Sequence, residues 1–100
     1  MTIAPPQQLQ ARSIRMNPAD NVAIVVNDGG LAAGAVLESG LVLTQRVPQG
    51  HKVALQMIAA GAAVRRYNVT IGYALQDIAA GAWVQERQLQ VPAAQELSQL

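Results

Sequence analysis

The chain contains one histidine, His51, which stands between Gly50 and Lys52 in the stretch VPQGHKVAL. An imidazole has an unperturbed pKa near neutrality, so it can transfer a proton or bind a metal ion at physiological pH. Glycine favours a turn and KVAL is typical of a strand, which predicts that His51 lies where a loop enters a strand. Two interpretations of His51 remain open here: a residue that does chemistry, and an exposed turn residue with no chemical role.

Four further side chains are candidates for contact with an anionic substrate. In a strand, Lys52 would face away from His51, whereas in a loop both side chains could reach one anion. Arg65 and Arg66 would lie on opposite faces of an extended segment, so at most one of them can face a shared cleft and bind a carboxylate through two hydrogen bonds. The hydroxyl of Tyr67 could contact a substrate, or its ring could cover the edge of a small core. Solvated side chains are the alternative for Lys52 and for both arginines.

The elements that must position these residues are short. Runs rich in β-branched and apolar residues alternate with turn residues, which predicts an all-β domain of short strands and hairpins. Tight turns are predicted at NPADN (17–21) and NDGG (27–30). Residues 1–11 are predicted to be a disordered leader, 12–92 the folded domain, and 93–100 a linker or tail. The predicted strands lie in SIRM, NVAIVV, GLVLTQRV, HKVALQMI, AAVRRYNVTIGYAL and AWVQERQLQV.

A short repeat marks three corners of the chain. LAAGAVL begins at Leu31, IAAGAAV at Ile58 and IAAGAWV at Ile78, and each has glycine three positions after its apolar anchor. A glycine at a fixed offset predicts a turn between two short strands. Because alanine favours helices, short helical turns are the alternative at these corners. Trp83 follows the third corner, where it is expected to fill the core rather than form a docking surface.

Composition excludes several classes of function. The 100 residues are 51% hydrophobic but 3% aromatic, which predicts one modest core of Val, Ile, Leu, Ala and Met. A net charge of +1 is too small for a protein that neutralises nucleic-acid phosphates, and the absence of cysteine excludes disulfides and thiolate metal sites. No segment has the apolar length of a membrane span or a secretory signal, so no membrane partner and a cytoplasmic location are expected. An unpaired strand edge favours a homodimer.

Four stretches carry a resemblance to a known family: DNVAIVVNDGGLAAG, VPQGHKVAL, RRYNVTIGYALQDIAAGAWV and VPAA. At these separations they resemble the amino-terminal SAF domain of the galactarate and altronate dehydratase family, over about residues 14 to 95. The resemblance implies a β-clip fold and a role in a lyase. Such enzymes remove water from a sugar acid through abstraction of a proton next to a carboxylate. A much larger carboxy-terminal part, or a separate large subunit, carries most of the enzyme in that family.

The resemblance also implies roles for individual residues. His51 is the candidate catalytic residue and a possible metal ligand, while Lys52, Arg66 and Tyr67 are candidates for substrate binding. A divalent, iron-like metal would be held mainly by the carboxy-terminal part and not by this chain alone, which is expected to be inactive in isolation. The family is expected to have glycine where this chain has Asn68. Because SAF domains occur in proteins of unrelated activity, a non-catalytic carbohydrate- or protein-binding module is the alternative.

Overall fold

The computed structural model of the chain describes residues 10–93. The strands within this range are β1 (Ser13–Ile14), β2 (Val22–Val25), β3 (Lys52–Ala54), β4 (Ala63–Arg66), β5 (Val69–Ala74), β6 (Trp83–Val84) and β7 (Leu89–Gln90), with a 3₁₀ turn (Glu86–Gln88) before β7. Strands β1-β2-β3-β6 form one antiparallel sheet in that order, and β4-β5-β7 form a second. The prediction of an all-β domain of short strands and hairpins is confirmed, and the arrangement fits the SAF-like β-clip that the resemblance implies.

The central strands β2 and β3 separate two small cores. Val22 is paired with Ala54 and both side chains belong to the first core, whereas the neighbouring pair, Ala23 and Val53, belongs to the second. This alternation follows from the period of two along a strand. Both faces of the sheet are therefore buried. The first core also holds Ile58, Val64, Ala74, Ile78, Ala82 and Val84, and the second also holds Val25, Leu37, Leu43 and Val47.

The composition of the two cores corrects one prediction. Their buried residues are Val, Ala, Leu and Ile, as expected, but Met16 and Met57 are exposed. The short aliphatic side chains fill the narrow space on each face of the sheet without methionine.

The last two residues of the predicted leader are attached to the domain: Ala11 packs against the second core, and the carbonyl of Gln10 accepts a hydrogen bond from the side chain of Asn27. Residues 1–9 and 94–100 lie outside the described range.

Besides the predicted turn at 27–30, in which the N–H of Gly30 donates to the carbonyl of Asn27 at 2.9 Å, four further turns share the same hydrogen-bond pattern. They span residues 32–35, 48–51, 59–62 and 79–82, and in each the fourth N–H donates to the first carbonyl at 2.9 to 3.1 Å. The third residue is a glycine with φ between 80° and 87°, the backbone that a type II turn requires. Three of these turns are the predicted corners, so the helical alternative is wrong. The turn 48–51 was not recognised as a fourth copy of the repeat, because Pro48 and Gln49 stand where the other three turns have two alanines before the glycine.

Two of the four turns belong to an internal duplication. Residues 54–64 (ALQMIAAGAAV) and 74–84 (ALQDIAAGAWV) differ only where Met57 matches Asp77 and Ala63 matches Trp83. The two copies exchange equivalent bonds about a pseudo-two-fold axis. Ile58 and Ile78 each donate an N–H to the other's carbonyl at 2.8 Å, and each turn glycine donates to the first alanine of the opposite copy, at 2.7 and 2.8 Å.

Two predicted strands are interrupted. GLVLTQRV forms only isolated bridges, at Val42 and Val47, and AWVQERQLQV is divided by the 3₁₀ turn. β4 and β5 instead form a continuous hairpin with a bulge at Val64/Arg65. Its two turn residues, Tyr67 and Asn68, have φ values of 61° and 59°, the combination of a type I′ turn. Asn68 therefore adopts the left-handed backbone, as its residue type allowed.

Candidate functional site

The His51 cleft is a surface cleft of about 520 Å³ beside strands β3 and β6. It brings together three of the four candidate site residues, His51, Lys52 and Arg66. It also contains two charged residues that the sequence analysis did not single out, Glu86 and Arg87. Among the described residues, three basic side chains therefore line the cleft with one carboxylate, which suits an anionic ligand. The lining residues are Gly50, His51, Lys52, Arg66, Trp83, Val84, Gln85, Glu86 and Arg87.

His51 occupies the last position of the turn 48–51. Its N–H donates to the carbonyl of Pro48 at 3.1 Å, and its own carbonyl accepts the N–H of Val25 at 3.0 Å, so the backbone is fixed on both sides. The imidazole is exposed and meets the ring of Trp83 edge to face, with centroids 5.3 Å apart and planes at 86°. Within residues 10–93 neither ring nitrogen is hydrogen-bonded to another group. The backbone of His51 is therefore fixed, and its exposed ring contacts Trp83 without using either nitrogen in a bond to the described residues.

Lys52 is the first residue of β3 and is half-buried. The strand already includes Lys52, so the loop interpretation is wrong at this residue. His51 belongs to the preceding turn, and both residues nevertheless line one cleft. Burial lowers the pKa of Lys52, and the charge of Arg66 lowers that pKa further, whereas the charge of Glu86 opposes the shift. Lys52 and Arg66 therefore form a pair of like charges that is only partly neutralised.

Arg66 is the arginine that faces the cleft, whereas Arg65 does not line it. Arg66 also lines an adjoining cleft of about 360 Å³, together with Lys52, Glu86 and the apolar residues Ile71, Leu89 and Val91. Tyr67 lines neither of these clefts, and its side chain is 66% exposed at the tip of the β4–β5 hairpin. The structure thus groups His51, Lys52 and Arg66 but leaves Tyr67 apart. A role for Tyr67 in substrate binding stays a prediction.

The family of the chain is shown by comparison with known proteins. The family model described as "Altronate/galactarate dehydratase SAF domain" matches residues 11–92. The chain belongs to this family. The SAF domain is similar to the galactarate dehydratase (L-threo-forming) of Escherichia coli (strain K12), with 46% identity over 87 residues. It is also similar to the altronate dehydratase of the same organism, with 47% identity over 74 residues.

The SAF domain matches only a small part of each relative. The two alignments cover 87% and 71% of this chain but 17% and 14% of the relatives' own lengths. Most of each relative therefore has no counterpart in the 100 residues described by the sequence.

Glu86 and Arg87 reach the cleft of the SAF domain on the 3₁₀ turn. This turn is closed by a reciprocal pair, in which the N–H of Gln85 donates to the side chain of Gln88 at 2.7 Å and the N–H of Gln88 donates to the carbonyl of Gln85 at 2.9 Å. The guanidinium of Arg87 also donates to the side chain of Gln85 at 3.1 Å. The two glutamines three residues apart are the sequence signal that could have located this turn.

Trp83 lies between the second core and His51. It is half-buried, packs against the second core and contacts His51, so it contributes both to the core and to the wall of the cleft. Its Nε1 is buried without a hydrogen-bond partner among the described residues. The prediction of a core residue therefore describes only one of its two contacts.

Two residues missed in the sequence, Asp20 and Asn21, hold the strand that carries Arg66. The carboxylate of Asp20 is buried, with 1% of the residue exposed, and accepts the N–H groups of Tyr67 at 2.8 Å and Asn68 at 2.7 Å. The side chain of Asn21 accepts the N–H of Arg65 at 2.8 Å. We name Asp20 and Asn21 together the Asp20–Asn21 clamp.

The ionisation of Asp20 is favoured in the folded domain. Burial raises the pKa of Asp20, but hydrogen bonds from the backbone N–H groups of Asn68, Tyr67 and Asn17, together with the charge of Arg15, lower it by more. The net pKa lies below its ordinary value of 3.8. A lowered carboxyl pKa contributes stability that is present above the unfolded-state pKa and is lost as the pH falls through the folded-state pKa.

We therefore expect acidification to about the ordinary pKa of 3.8 and below to lower the melting temperature of the wild-type SAF domain more steeply than that of Asp20→Asn. The variant has no carboxylate to protonate at this position. Thermal unfolding followed by circular dichroism across the acidic range measures both slopes. Asp77→Asn, which removes an exposed carboxylate, is the control and should keep the wild-type slope. Equal slopes for wild type and Asp20→Asn would contradict the assignment.

Two kinds of feature are absent from residues 10–93, a cluster of metal ligands and a membrane-spanning helix. No three His, Asp or Glu side chains in residues 10–93 lie together in a way that could hold a metal ion. The donor set of the His51 cleft, one imidazole and one carboxylate among three cations, does not fit a divalent metal held by these residues alone. The described residues also contain no helix of the length and hydropathy needed to cross a bilayer.

Proposed function

We propose that this SAF domain is an accessory part of a sugar-acid dehydratase and that its His51 cleft faces the carboxylate end of the substrate. The observation that carries the proposal is the grouping of His51 with Lys52, Arg66 and Arg87 in one cleft. The two relatives, named as a galactarate and an altronate dehydratase, suggest the substrate class. A third cleft, of about 730 Å³, is larger, but among residues 10–93 its one charged lining residue is Asp28, which does not favour an acid.

Electrostatics support the binding of an anion in this cleft. The charge of Arg66 disfavours the protonated form of Lys52, and the carboxylate of Glu86 only partly offsets this effect. A carboxylate between Lys52 and Arg66 would remove the repulsion and accept hydrogen bonds from both groups. Relief of the repulsion between the two cations therefore favours binding of an anion.

The reaction requires a base near a carbon next to the carboxylate and positive charge where negative charge develops. The accessible ring nitrogens of His51 can take or return the proton, and Lys52 and Arg66 can stabilise the charge that builds on the carboxylate as the proton leaves. These residues form one side of a site. In the proposal the large dehydratase part supplies the rest, together with any divalent metal, and the isolated chain does not turn over substrate. A cytoplasmic location and a homodimer stay predictions.

Binding of galactarate to the chain tests the proposal. Because a guanidinium–carboxylate contact is charge-assisted, Arg66→Ala should raise the dissociation constant about tenfold. Arg65→Ala removes the same charge from the neighbouring position outside the cleft and should change it less than about twofold. Backbone and side-chain chemical shifts in a galactarate titration give both constants.

Galactitol, which has the same carbon chain with neutral ends, is the ligand control. It should produce no shifts in the His51 cleft. Equal effects of the two arginine variants would contradict the proposed site. Binding of galactitol as tightly as galactarate would instead support the alternative of a neutral carbohydrate-binding module.

A further inference from the structure

The Asp20–Asn21 clamp contacts the chain immediately before and immediately after Arg66. On one side, the N–H of Arg65 donates to the side chain of Asn21 at 2.8 Å. On the other, the N–H of Tyr67 donates to the carboxylate of Asp20 at 2.8 Å. The backbone of Arg66 is therefore fixed at both neighbours by two consecutive residues of one loop.

The loop that carries the clamp is itself held in place. The Oδ2 atom of Asp20, which accepts the N–H of Tyr67, also accepts the N–H of Asn17 at 3.1 Å. The N–H of Asp20 donates in turn to the carbonyl of Asn17 at 2.9 Å. The guanidinium of Arg15 donates to the carbonyl of Asp20 at 3.0 Å. The amide of Asn21 donates to the carbonyl of Ala63 at 2.9 Å, which extends the contact along β4. The clamp is thus a rigid support.

The clamped segment needs such a support because its backbone is irregular. The ladder of β4 and β5 shifts register between Val64 and Arg65, and the next two residues after Arg66 are both in the left-handed region. A tyrosine with φ of 61° is disfavoured by its own side chain. Without the carboxylate, the N–H groups of Tyr67 and Asn68 would lose a buried partner, and the direction of the strand end would no longer be fixed.

We propose that Asp20 and Asn21 are positioning residues that aim the guanidinium of Arg66 at the carboxylate of the substrate. This inference rests on the proposed function of the His51 cleft. Asp20 is buried and acts through the backbone of the hairpin, not through contact with the ligand. A guanidinium binds a carboxylate well only when the two hydrogen bonds are aligned, so a small change in the strand direction weakens binding.

The residue type at position 20 is also explained. An ionised carboxylate only accepts hydrogen bonds, and this one meets the N–H groups of Asn17, Tyr67 and Asn68. Asparagine has nearly the same shape but would turn an NH₂ group toward at least one of these donors. Asp20→Asn therefore disturbs the clamp with little change in volume.

The experiment measures galactarate binding by the full chain at a temperature where every variant is folded. Asp20→Asn and Asn21→Ala should each raise the dissociation constant about tenfold. Asp77→Asn removes an exposed carboxylate that accepts one N–H, from Ala60 at 2.8 Å, and should change the constant less than about twofold. If Asp20→Asn does not fold, Asn21→Ala carries the test.

A double-variant comparison separates positioning from general destabilisation. In the Arg66→Ala background, Asp20→Asn or Asn21→Ala should cause no further loss of affinity, because the group that they aim is absent. A further loss of the same size in that background, or unchanged affinity of both single variants, would overturn the inference. A different result would contradict the proposed function itself: wild-type affinity for galactarate in the single variant Arg66→Ala.

Discussion

His51→Ala is expected to lower kcat for galactarate by about 10²- to 10⁴-fold, the range typical for loss of a proton-transfer group. The measurement uses a chimaera in which residues 11–92 of this chain replace the matching region of the E. coli galactarate dehydratase. The turn 48–51 fixes the backbone of His51, and its ring contacts Trp83. The substitution would therefore remove the proposed proton acceptor and leave the cations of the cleft in place. KM should change much less than kcat.

His51→Phe is the matched control for this prediction. A phenyl ring keeps the edge-to-face contact with Trp83 but has no nitrogen, so this variant should be as inactive as His51→Ala. Added imidazole should restore part of the turnover of His51→Ala and none of that of His51→Phe, in which the space is filled. Normal turnover by either variant would refute a catalytic role for His51.

Gly81→Ala is expected to lower the free energy of unfolding by about 3–5 kcal/mol, one of the largest losses available to a single methyl group in this fold. Gly81 has φ of 85°, and a Cβ at this residue would lie closer than 3.0 Å to the carbonyl oxygen of Val42. The carbonyl of Gly81 also accepts the N–H of Thr44 at 3.0 Å. The segment 42–44 must therefore move away, which breaks a contact between distant parts of the chain.

Gly61→Ala is an internal control for this effect. Gly61 is the equivalent of Gly81 in the duplication, with φ of 84° and no atom within 4 Å of an added Cβ. Only the cost of the left-handed backbone remains, about 1–2 kcal/mol. Denaturant-induced unfolding at neutral pH measures both values. Equal losses in the two variants would show that crowding by Val42 contributes nothing.

The sequence was sufficient where the relevant physics is local. Gly50 and the strand-like KVAL predicted that His51 lies where a loop enters a strand. The fixed position of glycine in the repeat predicted the turns 32–35, 59–62 and 79–82. Opposite faces along β4 correctly predicted that only one of Arg65 and Arg66 lines the cleft. These statements need only the period of a strand and the φ range of glycine.

The Asp20–Asn21 clamp could not be predicted because its partners are distant in the sequence. The bonds from Asp20 to Tyr67 and Asn68 join residues 47 and 48 positions apart, and the bond from Asn21 to Arg65 spans 44. A turn such as NPADN predicts an exposed aspartate, and only the folded hairpin supplies the N–H groups that justify its burial. The same holds for Glu86, which reaches Lys52 through tertiary packing.

The pseudo-two-fold duplication makes the two copies nearly equivalent in their backbone hydrogen bonds. Because both copies offer the same ladder of donors and acceptors, either could in principle take the other's place during folding at little cost in backbone bonds. The pairs Met57/Asp77 and Ala63/Trp83 are the differences that tell the copies apart. The side chain of Asp77 accepts the N–H of Ala60, and the ring of Trp83 packs beside His51. Ala63 has no ring, so the copy 54–64 has no equivalent contact, and among the two copies 74–84 is the one that lines the His51 cleft.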